Sequence, residues 1–197
     1  MGKHKFFGPP FVRGVMATAL GLFASGTSAQ WTITNLHPAE SEHSVVQGGS
    51  GTQQVGRVGF GGSIHHASLW SGAANSWVDF HPTGAIRSEA IASSGTQQVG
   101  RADLDGLSTH AVLWNGTAGS WVDLNPTGRG ATTSVAYGIS GTQQVGVAYP
   151  INNQWRASLW SGTADSWVNL DPVGSIQSIA YDTSGTQQVG TAVIGGS

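Results

Sequence analysis

After residue 29 the apolar positions fall in short clusters separated by turn residues. One full set is Gln97–Ala102, His110–Trp114, Trp121–Leu124 and Ser134–Ile139. Asn115-Gly116-Thr117 and Asn125-Pro126-Thr127-Gly128 punctuate it. Segments of this length, rich in Val, Ile, Leu and Trp and regularly spaced, predict strands. No apolar spacing of helical period extends far enough to predict a helix. The set recurs: His66–Trp70 and Arg156–Trp160 match the second segment, and Trp77–Phe80 and Trp167–Leu170 match the third. His81-Pro82-Thr83-Gly84 and Asp171-Pro172-Val173-Gly174 match the closing turn.

The heptapeptide Ser-Gly-Thr-Gln-Gln-Val-Gly fixes the period. It occurs four times, starting at Ser50, Ser94, Ser140 and Ser184, at spacings of 44, 46 and 44 residues. Such a period means one supersecondary unit copied along the chain. The two extra residues of the longer copy fall near Arg129-Gly130, in a loop. Ile33–Pro38 aligns with the third strand and its turn, and Ser44–Gly49 with the fourth. Counted from the third strand, the units run 33–70, 77–114, 121–160 and 167–194, the last one strand short. The expected fold is all-β, a four-bladed β-propeller of ~44-residue four-strand repeats. A β-trefoil and an open fragment of a larger ring are the alternatives. Two closures fit: each blade continuous in sequence, or N-terminal strands clasping the C-terminal one. A missing strand would leave an exposed edge that invites pairing.

The first 29 residues differ from the rest. Lys3, Lys5 and Arg13 precede the uncharged stretch Gly14–Gly26, and Thr27-Ser28-Ala29 ends it. This order predicts a secretory signal peptide over 1–29 and a single repeat domain over 30–197. The apolar stretch is shorter than the ~20 residues of a spanning helix, so no membrane insertion is expected after cleavage. Beyond residue 29 there are five arginines, no lysine and ten carboxylates. That balance makes nucleic acid a poor partner. There is no cysteine, so packing alone must hold the domain.

His66-Ala67-Ser68-Leu69-Trp70 and His110-Ala111-Val112-Leu113-Trp114, each followed by Trp-Val-Asp, resemble the bacterial HAF-type extracellular repeats. Ser68 and Val112 stand in place of the phenylalanine that names the family, and Arg156 replaces the third histidine. The resemblance spans nearly all of 33–194. It implies a propeller-like bacterial protein, secreted or periplasmic, and carries over no catalytic residues.

Trp70, Trp114 and Trp160 are equivalent, as are Trp77, Trp121 and Trp167, and recurrence of this kind fits packing between units. Trp155 and Tyr149 lie outside the pattern, in a segment the other units fill differently, and are candidate ligand contacts. In the heptapeptide, glycine serves the turn and the two glutamines enter a strand on opposite faces. One set, Gln53, Gln97, Gln143 and Gln187 or its neighbour Gln54, Gln98, Gln144 and Gln188, can ring a central channel with amides. The structural alternative is that these amides satisfy loop backbone.

No metal site is expected: His65 and His66 point to opposite strand faces, and Asp103-Leu104-Asp105-Gly106 lacks the remaining ligands of a calcium loop. No cofactor motif and no nucleophile elbow are present. Asp79, Asp123 and Asn169 share one position, which suits a turn acceptor. The expected function is a secreted, non-catalytic binding or adhesion module for a polysaccharide or a cell-surface partner. The alternatives are a glycan-cleaving enzyme and a structural protein that assembles through its incomplete unit. An enzyme would draw on Glu40, Glu42, Glu89, Asp103, Asp105, Asp165 and Asp182.

Overall fold

The computed structural model describes residues 32–104, 106–149 and 154–195. The expected signal peptide lies outside them, as does Asp105. Fourteen strands form four antiparallel sheets, each continuous in sequence. The first holds β1 (His43–Ser50), β2 (Gln53–Gly59), β3 (His65–Trp70) and β4 (Val78–Asp79). The second holds β5 (Arg87–Ser93), β6 (Gln98–Asp103), β7 (Thr109–Trp114) and β8 (Val122–Asp123). β9 (Thr133–Ser140), β10 (Gln143–Tyr149), β11 (Arg156–Trp160) and β12 (Val168–Asn169) make the third. Among the described residues the fourth has only β13 (Ser175–Thr183) and β14 (Gln188–Ile194).

The first strand of each sheet packs on three strands of the sheet before it: β5 on β1–β3, β9 on β5–β7, and β13 on β9–β11. This is the blade-on-blade stacking of a propeller, and four units with a short last one are what the repeat count requires. No comparable packing joins the first sheet to the fourth among the described residues, so the row of blades is open. Each blade is continuous in sequence, and no N-terminal strand clasps the last sheet among the described residues. A trefoil is excluded, because the sheets stack in series.

The phase of the units shifts by one segment. Each sheet begins at the strand before the heptapeptide, whereas units counted from the third strand begin one segment earlier. Ile33–Pro38 is not a strand, because no described segment lies beside it to complete a ladder. It keeps the turn of its aligned copies all the same. His37 N–H donates to Asn35 Oδ1 at 2.9 Å, as His81 N–H does to Asp79 Oδ1 at 2.8 Å. The expected insertion point is also where the chain departs from the other copies: Thr127–Arg129 forms a 3₁₀ turn closed by left-handed Gly130.

The core lies between blades. Val55, Ala67, Leu69 and Phe80 of the first sheet meet Ala90, Ala102, Val112 and Trp114 of the second. Val99, Ala111, Leu113 and Leu124 meet Ala136, Ala148 and Trp160 in the same way. Trp70, Trp114 and Trp160 are fully buried, so the repeated tryptophans are packing residues. Each buries an area worth about 5 kcal/mol as an upper estimate. The Trp114 indole N–H also donates to the Phe80 carbonyl of the preceding blade at 2.8 Å.

The heptapeptide is explained residue by residue. Its final glycine faces a bulge in the neighbouring strand, where Gln47, Ile91, Tyr137 or Tyr181 is skipped in the ladder. A Cβ on Gly56, Gly100, Gly146 or Gly190 would sit 1.9–2.0 Å from the carbonyl oxygen across from it. Its first glycine turns the chain at positive φ in every copy. The turn itself comes in two forms. Ser50 pairs with Gln53 and Ser140 with Gln143, leaving two-residue loops. Ser93 pairs with Gln98 and Thr183 with Gln188, leaving four-residue loops. The residue just ahead of the heptapeptide decides which form appears. Ser93 Oγ and Thr183 Oγ1 each accept the glycine N–H at 3.0 Å. Gly49 and Ile139, at the same position, have no hydroxyl to offer.

Candidate functional site

Among the described residues most pairs of ionisable groups lie within single blades, and Arg57–Glu89 crosses the joint between two. His66 Nδ1 lies 2.8 Å from Asp79 Oδ2, and His110 Nδ1 lies 2.8 Å from Asp123 Oδ2. In the third blade Arg156 replaces the histidine and Asn169 the aspartate, and the pair re-forms between Arg156 and Asp171. The other oxygen of Asp79 and Asp123, and Asn169 Oδ1, accepts the backbone N–H two residues on, at 2.7–2.9 Å. The shared position is therefore a turn acceptor, as its chemistry predicts. Three serines of the following blade's first strand lock these joints: Ser88, Ser134 and Ser178 each accept the N–H of Ala67, Ala111 or Ala157. His81 stacks on His66 at 3.8 Å, and burial pulls its pKa below the ordinary histidine value.

Among the described residues Glu89 is the most buried carboxylate, 2 % exposed. It accepts bonds from Gln47 Nε2 at 2.8 Å, from Arg101 at 2.7 and 3.0 Å, and from Arg57. Burial pushes this carboxyl up, but the Arg101 charge, the Gln47 bond and the Arg57 charge reverse that and hold it below the usual carboxylate value. Asp103 is taken by Arg87 and by Thr109 Oγ1 at 2.6 Å. Arg87, Arg101 and Asp103 line a 160 Å³ pocket, and both arginines already face carboxylates. Among the described residues no three His, Cys, Asp or Glu side chains converge as metal ligands do.

The candidate contacts read from the sequence fall in two places. Tyr149 and Trp155 do meet, with ring centroids 5.2 Å apart, at the far end of β10. The Trp155 carbonyl accepts the Ser178 N–H at 2.9 Å, so this residue also anchors the last sheet. Gln143 starts the same seven-residue strand, which puts it about 20 Å from Tyr149. No single small ligand touches both.

The amides do not form a ring. Gln53 Oε1 accepts from Gln98 Nε2 at 3.2 Å, and Gln143 Oε1 from Gln188 Nε2 at 3.4 Å, each across a blade joint. The Gln97 side chain instead donates to Asn115 Oδ1 at 2.6 Å, and at Gln187 it is the backbone carbonyl that receives Ser184 N–H, at 2.9 Å. The two loop forms are the cause: Gln53 and Gln143 stand in strands, Gln97 and Gln187 in loops. The second glutamine serves backbone. Gln54, Gln98 and Gln144 each accept, through Oε1, the N–H of the glycine two residues after the buried tryptophan, at 2.9, 3.2 and 2.8 Å.

A third place was not among the sequence candidates. The first strands of the four sheets lie side by side and line a cleft of about 450 Å³. Their close approach needs glycine: a Cβ on Gly48 would stand 2.5 Å from the Ile91 oxygen. The bulged residues Gln47, Ile91, Tyr137 and Tyr181 line this cleft, joined by Asp182. The two tyrosine rings are 5.9 Å apart, tilted by 49°. Tyr181 is 48 % exposed, while burial of Tyr137 raises its phenol pKa. An aromatic pair beside an amide and a carboxylate offers a face for apolar C–H groups and partners for hydroxyls. The signal lay three residues ahead of each heptapeptide, where the repeat stops repeating: Gln, Ile, Tyr, Tyr.

No protein-family model, no curated protein and no solved structure matches this chain.

Proposed function

We propose that this protein is a secreted, non-catalytic binding module that takes a polysaccharide in the cleft between its four first strands. The observation that carries this reading is the Tyr137–Tyr181 pair beside Gln47 and Asp182 in that cleft. The leader-like first 29 residues and the resemblance to HAF-type extracellular repeats support an exported bacterial protein acting at the cell envelope. Glycan cleavage draws less support. It needs two carboxylates about 5–10 Å apart, and Asp182 is the one carboxylate among the residues lining the cleft. Glu89 and Asp103, which the enzyme reading would use, are held by arginines.

The test is a glycan array probed with the protein and with Tyr181→Ala and Trp155→Ala. Selective binding lost in Tyr181→Ala and kept in Trp155→Ala is the expected result. The reverse pattern moves the site to the Tyr149–Trp155 pair. Absence of any glycan binding ends the polysaccharide reading.

A further inference from the structure

We infer that the joint between the first two blades holds a binding site for an oxyanion group, a carboxylate or a sulfate, with Arg87 and Arg101 as its ligands. The site is separate from the axial cleft and does not depend on what that cleft binds. It rests on a block of charge that blade stacking does not need.

The block sits on one ladder. Arg87 pairs with Asp103, and Glu89 with Arg101, across β5 and β6. Residues two apart share a strand face, so the four side chains alternate in sign over one face. Arg57 joins them from the first blade through Glu89. Beyond residue 29 the chain has twice as many carboxylates as arginines, yet here three arginines meet two carboxylates.

The other blades show that the block is dispensable for stacking. The same places in the third blade hold Thr133 with Tyr149 and Val135 with Val147. In the fourth they hold Gln177 with Val193 and Ile179 with Thr191. The third blade still packs a full apolar cluster against the second. A buried ion pair has no stability advantage over well-packed apolar residues of similar volume, so stacking alone gives no reason for the charges.

Within the block, donors outnumber acceptors. Each guanidinium has five N–H donors. Arg57 and Arg87 each spend one on a carboxylate, and Arg101 spends two. Glu89 accepts from Gln47, from Arg57 and twice from Arg101, which fills it. Asp103 is taken on one oxygen by Arg87 and on the other by Thr109. One positive charge is left without a counter-ion among the described residues. Its field is felt nearby: burial, then the Arg57 charge, hold the His65 pKa below the ordinary histidine value.

The pocket that Arg87, Arg101 and His65 line has room for about five waters. That suits one oxyanion group and excludes a run of sugar rings. Both lining arginines are half-exposed, so their unspent donors can be reached from solvent. Guanidinium groups bind planar and tetrahedral oxyanions through paired N–H bonds.

The probes are sodium sulfate and a trisaccharide of galacturonic acid, titrated separately at fixed ionic strength and followed by proton–nitrogen NMR. Saturable shifts at β5 and β6 amides and at the Arg87 and Arg101 side chains are expected. Tighter binding of the trisaccharide assigns the site to a carboxylate carried by a polysaccharide, and tighter binding of sulfate assigns it to a free ion; either supports the site. Arg87→Thr, which copies Thr133, should weaken binding about tenfold. Glu89→Val with Arg101→Val copies the third blade at unchanged net charge and should abolish binding while the protein stays folded. Arg129→Ala, at an exposed loop arginine, should change nothing. Absence of saturable binding to both probes overturns the inference. An equal loss in Arg129→Ala overturns it too, since binding is then general charge attraction. Loss of sulfate binding in Tyr181→Ala moves the anion to the cleft and also overturns it.

Discussion

Glu89→Gln isolates the charge at the joint between the first two blades. The substitution keeps the shape and leaves an oxygen to accept from Gln47, but it removes the anion that Arg57 and Arg101 share. Stranding one partner of a fully buried ion pair costs about 3–5 kcal/mol. Here the arginine side chains are 28 % and 43 % exposed, so water recovers part of their loss. The expected deficit at pH 7 is about 2 kcal/mol, the size of one charge-assisted hydrogen bond. The folded Glu89 pKa lies below the ordinary value of 4.5. Its contribution is therefore fully present above that value and is lost as pH falls through the folded pKa. Urea unfolding followed by tryptophan fluorescence should show the gap at pH 7 and a smaller one near pH 3. A deficit under about 0.5 kcal/mol at pH 7, or one unchanged by acid, would refute this account. The third blade offers a control. Val135 pairs with Val147 there as Glu89 pairs with Arg101, so Glu89→Val with Arg101→Val should recover most of the loss.

Three further outcomes are expected. Trp114→Ala should cost about 4 kcal/mol in the same assay, because it empties the first joint and strands the Phe80 carbonyl. Gly100→Ala should cost about 3 kcal/mol or more, since its Cβ would lie 1.9 Å from the Glu89 oxygen; a change under about 1 kcal/mol would mean that the bulge yields. Ser93→Ile, which copies the Ile139 context, should convert the second heptapeptide to the two-residue loop, seen in NMR as Gln97 taking extended backbone angles and Gly95 N–H losing its protection from exchange; an unchanged four-residue loop would put the switch elsewhere.

Repeat number, strand content and the burial of Trp70, Trp114 and Trp160 were legible because recurrence and apolar clustering report packing directly. The turn role of Asp79, Asp123 and Asn169 was legible for the same reason. The blade phase was not. A cyclic repeat can be cut at any strand, and only the ladders tell where a sheet begins. The choice between an amide ring and backbone-bound amides was not legible, because identical heptapeptides fold in two forms and Ser93 and Thr183 bind the loop glycine from one position upstream. Tyr137 and Tyr181 were missed because a bulge turns them toward the axis, and a bulge breaks the period-two alternation that strand reading relies on. Tyr149 and Trp155 were brought together as their shared segment implied, but away from the glutamines.

The three joints are unequal, and the inequality runs in one direction along the chain. The first combines an apolar cluster with the buried Glu89 and its arginines. The second keeps a full apolar cluster but gives up the charges, since Val135 and Val147 replace Glu89 and Arg101. At the third the cluster is smaller, Val145, Ala157 and Ala180. In a stacked repeat, stability is close to a sum of unit and neighbour terms, so the fourth blade is the least held. Among the described residues this joint lacks the buried tryptophan and the third-strand ladder that the other two have, so local opening is expected to start there.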